Sequence, residues 1–192
     1  MLFKNRNPED QYLEQAIRGE RAGLEYLVNT YRDMAYSIAI RVTGNHEDAE
    51  EVVQDGFLKA FKNLAEFKRA SKFSTWLYRI IYNTALSKAS SGKNFTMELQ
   101  EDNQYQQYIE PNAVMQQMAG ADRRKYLNMA MQKLKAQDQL ILSLHYIAEK
   151  SITEITEILG MKSSAIKMRL FRSRKQLLEE LQRLLPNEFK DL

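Results

Sequence analysis

The chain is predicted to be all-α, with two small helical domains joined by a flexible linker, and three observations carry that expectation. Apolar residues recur at helical spacing through most of the 192 residues, while strand-like alternation is scarce. Three Pro and seven Gly are too few for a turn-rich β protein. Residues 90 to 112, SSGKNFTMELQEDNQYQQYIEPN, lose the helical period and become polar and rich in Gln and Asn. The domains are therefore drawn at 1–91 and 113–192, with the linker at 92–112.

In the first domain, Asn7-Pro8 supplies a cap and a Pro at the first helical position. A short helix over 8–18 follows, with Leu13, Ala16 and Ile17 inward and Gly19 ending it. A second helix, Ala22 to Val42, carries the core stripe Leu24, Leu27, Tyr31, Met34, Ile38 and Val42, and Gly44 closes it. Asn45 caps a third helix, whose first turns hold Glu47, Asp48, Glu50 and Glu51, where acid complements the macrodipole. Ala49, Val53, Phe57, Ala60 and Leu64 are its core face. The opposite face carries Glu51, Gln54, Asp55, Leu58 and Lys62, an exposed Leu among acids and amides that suits a partner surface.

A basic loop, EFKRASKF, then holds Lys68, Arg69 and Lys72. Ser74 caps the next helix, which is dense in Trp76, Tyr78 and Tyr82 after Phe67 and Phe73. Basic residues interleaved with rings suit single-stranded nucleic acid, whose bases stack on them, although Trp76, Ile80 and Ile81 also fit a core. In the second domain, Ala113 to Leu134 forms one amphipathic helix or two. Ala136 to Ala148 forms another, with Leu140, Ile141 and Leu144 inward.

The last stretch, SITEITEILGMKSSAIKMRLFRSRKQLLEELQRLL, has the pattern of a helix-turn-helix. Ser151 and Glu154 form a capping box, and Ile152, Ile155 and Leu159 give the first helix an apolar face. Gly160 stops it, Ser163 or Ser164 caps the second, and Pro186 ends that one. On the second helix Ile166, Leu170, Ser173 and Leu177 line one side, and Ser164, Met168, Phe171, Arg172 and Lys175 the other. Between Lys162 and Lys175 there are six basic residues and no acid, so this helix is expected to meet DNA in the major groove.

Composition bounds the remaining possibilities. A hydrophobic content of 44% supports packed cores, and a net charge of only +3 makes the basic character local. Zero Cys excludes disulfides and thiolate metal sites. No apolar run approaches membrane-spanning length, and MLFKNRNPED lacks the apolar core of a signal peptide, so a cytoplasmic protein without membrane insertion is expected. There is no phosphate-binding Gly loop, His46 and His145 stand far apart, and the acids lie on helix faces. No enzymatic activity, metal or cofactor is expected.

Two runs carry a family resemblance. GNHEDAEEVVQDGFLKAFKNLAEFKRASKFSTWLYRIIYNTAL resembles conserved region 2 of bacterial RNA polymerase sigma factors of the extracytoplasmic-function group (sigma-70 family, group 4). LKAQDQLILSLHYIAEKSITEITEILGMKSSAIKMRLFRSRKQLL resembles their region 4. Order, spacing and length match that group over nearly the whole chain apart from the linker. The resemblance implies a transcription initiation factor that binds core RNA polymerase and directs it to promoters. Asp48, Glu51, Gln54, Asp55 and Leu58 would touch the polymerase clamp. The loop from Lys68 through Arg69 and Lys72 to Phe73 would hold an unstacked base of the melted −10 strand, with Trp76, Tyr78, Arg79 and Asn83 touching DNA or supporting the loop. Ser163, Ser164, Lys167, Met168, Phe171, Arg172 and Lys175 would read the duplex −35 element. The linker would thread toward the polymerase active-site and RNA-exit region, and an anti-sigma factor is a further possible partner. Two departures stand out: Lys162 follows the turn where the family often has Ser or Thr, and Lys135-Ala136 replace a frequent Pro.

Other function classes fit parts of the chain. An autonomous helix-turn-helix regulator with a sensing or dimerising N-terminal domain would need a self-complementary interface and a palindromic operator. A helical anti-regulator that binds proteins alone leaves the basic helix unexplained.

Overall fold

The computed structural model describes residues 8–92 and 120–185, with side chains over 8–90 and 125–185. The cap at Asn7, the linker and the segment before Gly120 lie outside the described residues. Eight α-helices and no strand occur among the described residues, and the chain divides into two compact units.

The first unit holds α1 (Pro8–Ile17), α2 (Arg21–Thr43), α3 (His46–Lys62), a 3-10 turn (Leu64–Glu66) and α4 (Phe73–Gly92). α2 packs against the other three helices, and α3 packs on α4. Leu27, Ile38, Val52, Leu77 and Ile81 are fully buried between them. The crossing of α1 over α2 depends on Gly23, where a Cβ would run into the backbone of Ala16 and Tyr12. Gly56 brings α3 close to α4, since a Cβ there would meet the Ile81 side chain. Gly44 caps α2 at φ 79°, a left-handed geometry suited to glycine. Asn45 caps α3 as expected, its side chain accepting from the Asp48 N–H at 2.8 Å.

Several details of this unit differ from the sequence-based expectation, beginning with Leu24 and Met34 of the α2 stripe, which are only half-buried. Ile17 is 40% exposed, because α1 ends there and only Leu13 and Ala16 face inward. The buried stripe of α3 is Ala49, Val52, Gly56, Phe57 and Ala60, and Val53 is only half-buried. Without a side chain, Gly56 adds nothing to an apolar pattern, so the stripe appeared rotated by one residue. α4 begins at Phe73, and the Thr75 and Trp76 amides bond to the Lys72 carbonyl, which puts Ser74 inside the helix rather than at its cap.

The second unit holds α5 (Gly120–Met131), α6 (Ala136–Leu142), a π turn (Ser143–Ile147), the first part of α7 (Ile152–Leu159) and α8 (Ser163–Leu184). α5 and α6 both pack on α8, burying Ala130, Leu134, Leu140, Ile141, Ile166, Leu170 and Leu177. The single helix expected over 136–148 changes hydrogen-bond register at Ser143 and continues as a π turn. Glu149 then takes a left-handed φ of 51° before α7.

The helix-turn-helix boundaries follow their caps. The Ser151–Glu154 capping box is complete, with both reciprocal bonds formed, an arrangement worth about 1 kcal/mol. Gly160 ends α7 at φ 67°. The N-cap of α8 is Lys162, with extended backbone and no side-chain cap bond, so neither Ser163 nor Ser164 caps this helix. Its first amides are left for water or an anion.

Candidate functional site

Three surfaces bring together the residues singled out above. The first lies on α3. Gln54 and Asp55 are exposed, and Leu58 is 59% exposed, a large apolar side chain held in water. Gln54 and Leu58 edge an open groove of about 840 Å³ between α2 and α3, lined also by Val28, Tyr36, Phe57 and Phe61. Asp48 and Glu51 are engaged within the unit. Lys88 of α4 places its Nζ 2.6 Å from Glu51 and 3.4 Å from Asp48. The Asn45 amide, reinforced by Lys88, holds the Asp48 carboxyl below its usual range. The hydrogen bond to Glu51 raises the Lys88 ammonium correspondingly. Sequence reasoning missed Lys88, which stands 37 residues from Glu51 and is joined to it only by the packing of α3 on α4.

The second surface runs from the basic loop along α4. Lys72, Trp76, Arg79 and Asn83 succeed one another at helical spacing; Lys72, Arg79 and Asn83 are exposed and Trp76 is half-buried. Beneath them lies a chain of rings. Trp76 is 5.2 Å from Phe67 and 5.8 Å from Phe73, Phe73 is 5.5 Å from Tyr31, and Tyr31 meets Tyr78 edge-on at 6.0 Å. The Tyr31 hydroxyl donates to Glu9 at 2.6 Å. Burial pushes the Tyr31 and Tyr78 hydroxyls well above their ordinary range, so both remain neutral.

This chain of rings corrects the role expected of Phe73 and leaves Tyr78 the supporting one of its two. Phe73 is 3% exposed and Tyr78 is 4% exposed, so neither offers a face to a base. Their places are set by packing against Tyr31, and they support the surface from below. Of the loop cations, Lys68 and Lys72 are exposed, whereas Arg69 turns back toward α1 and sits 3.7 Å from Glu14 and 4.0 Å from Asp10.

The third surface is on α8. Ser163, Ser164, Lys167, Arg172 and Lys175 are exposed, and Met168 and Phe171 are half-buried. Ile166, Leu170, Ser173 and Leu177 are buried on the other side, as the helical period requires. Arg169 and Arg174 of the basic run are engaged within the unit. Arg169 pairs with Asp138 of α6 at 3.0 Å in a largely buried position, fixing α8 to α6. The guanidinium of Arg174 lies 5.2 Å over the Tyr146 ring. Lys167, Arg172 and Lys175 are exposed on the outer side. The α8 surface thus offers hydroxyls, the half-buried Met168 and Phe171, and cations along one face of the helix, groups that can meet the acceptors and the thymine methyl of the major groove.

Among the described residues no cluster of His, Asp or Glu is arranged to hold a metal, and no helix is long and apolar enough to cross a membrane.

Comparison with known proteins agrees with this division. Residues 27–94 match the family model for Sigma-70 region 2, and residues 124–177 match that for Sigma-70, region 4. The chain is 32% identical over 161 residues to RNA polymerase sigma factor YlaC of Bacillus subtilis, covering 82% of this chain and 91% of the relative. It is 27% identical over 191 residues to the ECF RNA polymerase sigma factor SigW of the same organism, covering 96% and 99%. In fold it is similar to CnrH, solved in complex with the cytosolic domain of CnrY, with a TM-score of 0.60 at 21% identity over 92% of this chain and 99% of that one. It is also similar to the sigma factor RpoE of Bartonella quintana, solved with the anti-sigma factor NepR, with a TM-score of 0.55 at 22% identity over 82% and 96%.

Proposed function

The chain belongs to the extracytoplasmic-function group of the sigma-70 family of RNA polymerase sigma factors, and from that premise we propose how its three surfaces divide the work of promoter-directed initiation. The family consists of transcription initiation factors rather than enzymes. Core RNA polymerase and promoter DNA are the partners, and an anti-sigma factor is a further one.

The observation that carries the division is the line of exposed Lys72, Arg79 and Asn83 with half-buried Trp76 within the region 2 match, set beside the exposed basic face of α8 within the region 4 match. On the first, Trp76 supplies a stacking platform for an unpaired base while Lys68, Lys72 and Arg79 meet phosphates and Asn83 a base edge or sugar. Phe73 and Tyr78 hold that platform from beneath. On the second, Ser163, Ser164 and Lys167 sit at the start of α8, and Met168, Phe171, Arg172 and Lys175 continue the face. A thymine methyl suits Phe171, and a guanine edge or a phosphate suits Arg172. The uncapped first turn of α8 suits a backbone phosphate.

Polymerase binding is assigned to Gln54, Asp55 and Leu58 on α3. Asp48 and Glu51 join them through their ordered pair with Lys88, which fixes where their remaining carboxylate oxygens point. An apolar anchor ringed by polar groups is the usual make-up of an interface centre.

The test combines Lys68→Ala with Lys72→Ala in holoenzyme assembled from core polymerase. Strand opening, read by permanganate reactivity, is expected to fall. Each lost phosphate contact should lower the salt slope of opening by about 0.7. Opening and salt dependence that both match the unaltered protein would return the loop to solvent.

A further inference from the structure

We propose that Arg69 is a positioning residue: its guanidinium ties the loop between Phe67 and Lys72 to α1, and so sets the path along which Lys68, Lys72 and Trp76 meet the opened strand. The inference rests on the reading of this loop as the strand-holding element.

The backbone of Arg69 has φ 54°, a left-handed conformation that long L side chains rarely adopt. Such a conformation costs free energy and persists where its surroundings hold it. The side chain supplies a hold. Its Nη1 lies 4.0 Å from Asp10 and its Nη2 3.7 Å from Glu14. Asp10 and Glu14 are one turn apart on α1, so one planar guanidinium faces two carboxylates with two different nitrogens. A lysine, being a point charge, could not do this in the same way.

The same geometry argues against Arg69 as a phosphate ligand. A phosphate brought to this guanidinium would approach two carboxylates as well, and like charges repel at such distances. The loop is held at its other end by a tilted ring contact of Phe67 with Trp76, centroids 5.2 Å apart. Arg69 and Phe67 therefore fix the two sides of a short basic segment, one to α1 and one to α4.

Trp76 is the one tryptophan in the chain and touches Phe67, so its emission reports the loop without any DNA present. Two variants of the full chain are compared, Arg69→Gln and the pair Asp10→Asn with Glu14→Gln. Both should change Trp76 emission or its quenching by acrylamide in the same direction. Both should slow promoter opening in the holoenzyme by about two- to five-fold, the scale of one exposed ion pair. All three changes together should be no worse than either variant, and the salt slope should stay as it was. If Arg69 instead held a phosphate, neutralising Asp10 and Glu14 would speed opening and Arg69→Gln would lower the salt slope by about 0.7; either result overturns the proposal. Unaltered Trp76 emission in both variants overturns it too, because the pairs would then position nothing. An emission change with normal opening would uphold the tie and instead sink the reading of the loop as strand-holding.

Discussion

The two units place different chemistry beneath the surfaces assigned to DNA. In the first, the outward ring of Trp76 rests on Phe67 and Phe73, and these connect through Tyr31 to Tyr78 in the core. Surface and core are one chain of tilted and edge-on aromatics. In the second, the buried residues of α8 are mainly aliphatic, and the exposed residues occupy the other side of the same helix. Surface and core there are two stripes that share a backbone and few atoms. A melting surface must catch a flipped base, and a flat ring held from behind does that. A duplex reader needs only a rigid rod with a separable face.

This difference sets what mutations do, beginning with the largest effect. Phe73→Ala should cost about 3–5 kcal/mol of stability, the usual loss for a buried Phe, and strand opening should fall with it. Thermal melting and permanganate footprinting of the same preparation check this. If opening survived while stability fell, the rings beneath Trp76 would not support the surface above them. Gly23→Ala belongs to the same unit and should cost about 1–3 kcal/mol or more, because the clash is with backbone that cannot rotate away. Gly56→Ala should cost less, because the Ile81 side chain it meets can move.

On α8 the two effects should separate. Arg169→Ala removes a largely buried charged pair with Asp138 and should cost about 1.5–3 kcal/mol of stability while leaving the salt dependence of DNA binding unaltered. Lys175→Ala should do the reverse, leaving melting within about 0.5 kcal/mol and lowering the duplex salt slope by about 0.9. Phe171 is the hardest case for this separation. Its ring is half-buried, so Phe171→Ala should lose less stability than Phe73→Ala. It should also lose about 1–3 kcal/mol in −35 recognition, and only on promoters that keep the contacted base pair. An equal loss on every promoter would assign Phe171 to the core and blur the contrast between the two units.

The smallest effect on folding is expected at Leu58. Leu58→Asp should leave melting within about 0.5 kcal/mol, since the side chain is 59% exposed, yet weaken binding to core polymerase. Melting and co-purification measured together check it. A large fall in stability would mean that the α3 face had been read from the wrong side.

Much of this organisation was legible in the sequence because local signals agreed with one another. The capping box at Ser151, the glycine at Gly160 and the spacing of Ile166, Leu170, Ser173 and Leu177 each specify the same two helices, and all are found. The outward face of α3 at Gln54, Asp55 and Leu58 was legible for the same reason. What escaped was long-range or silent. Gly56 contributes close approach but no apolar side chain, so the α3 stripe was misread at Val53. Tyr78 and Phe73 look like surface aromatics in a basic segment until the ring of Tyr31 from α2 is placed beside them. Lys88 went unremarked and Arg69 read as a strand-holding cation, because their acids lie on other helices. Charge pattern along a chain shows which residues are basic, and only packing shows which of them are already engaged.

This chain is proposed to open promoter DNA as a subunit of polymerase, reading melted strand with one unit and duplex with the other. The most direct measurement is permanganate reactivity of promoters identified by transcript mapping after overexpression, with the purified protein added alone and with core polymerase. Thymines of the −10 region should become reactive only when both are present. Opening should be lost with Trp76→Ala, and binding should weaken with substitutions on the α8 face. Tight binding of the protein alone, as a dimer on a palindromic duplex and without opening when polymerase is added, would contradict the account and favour an autonomous helix-turn-helix regulator.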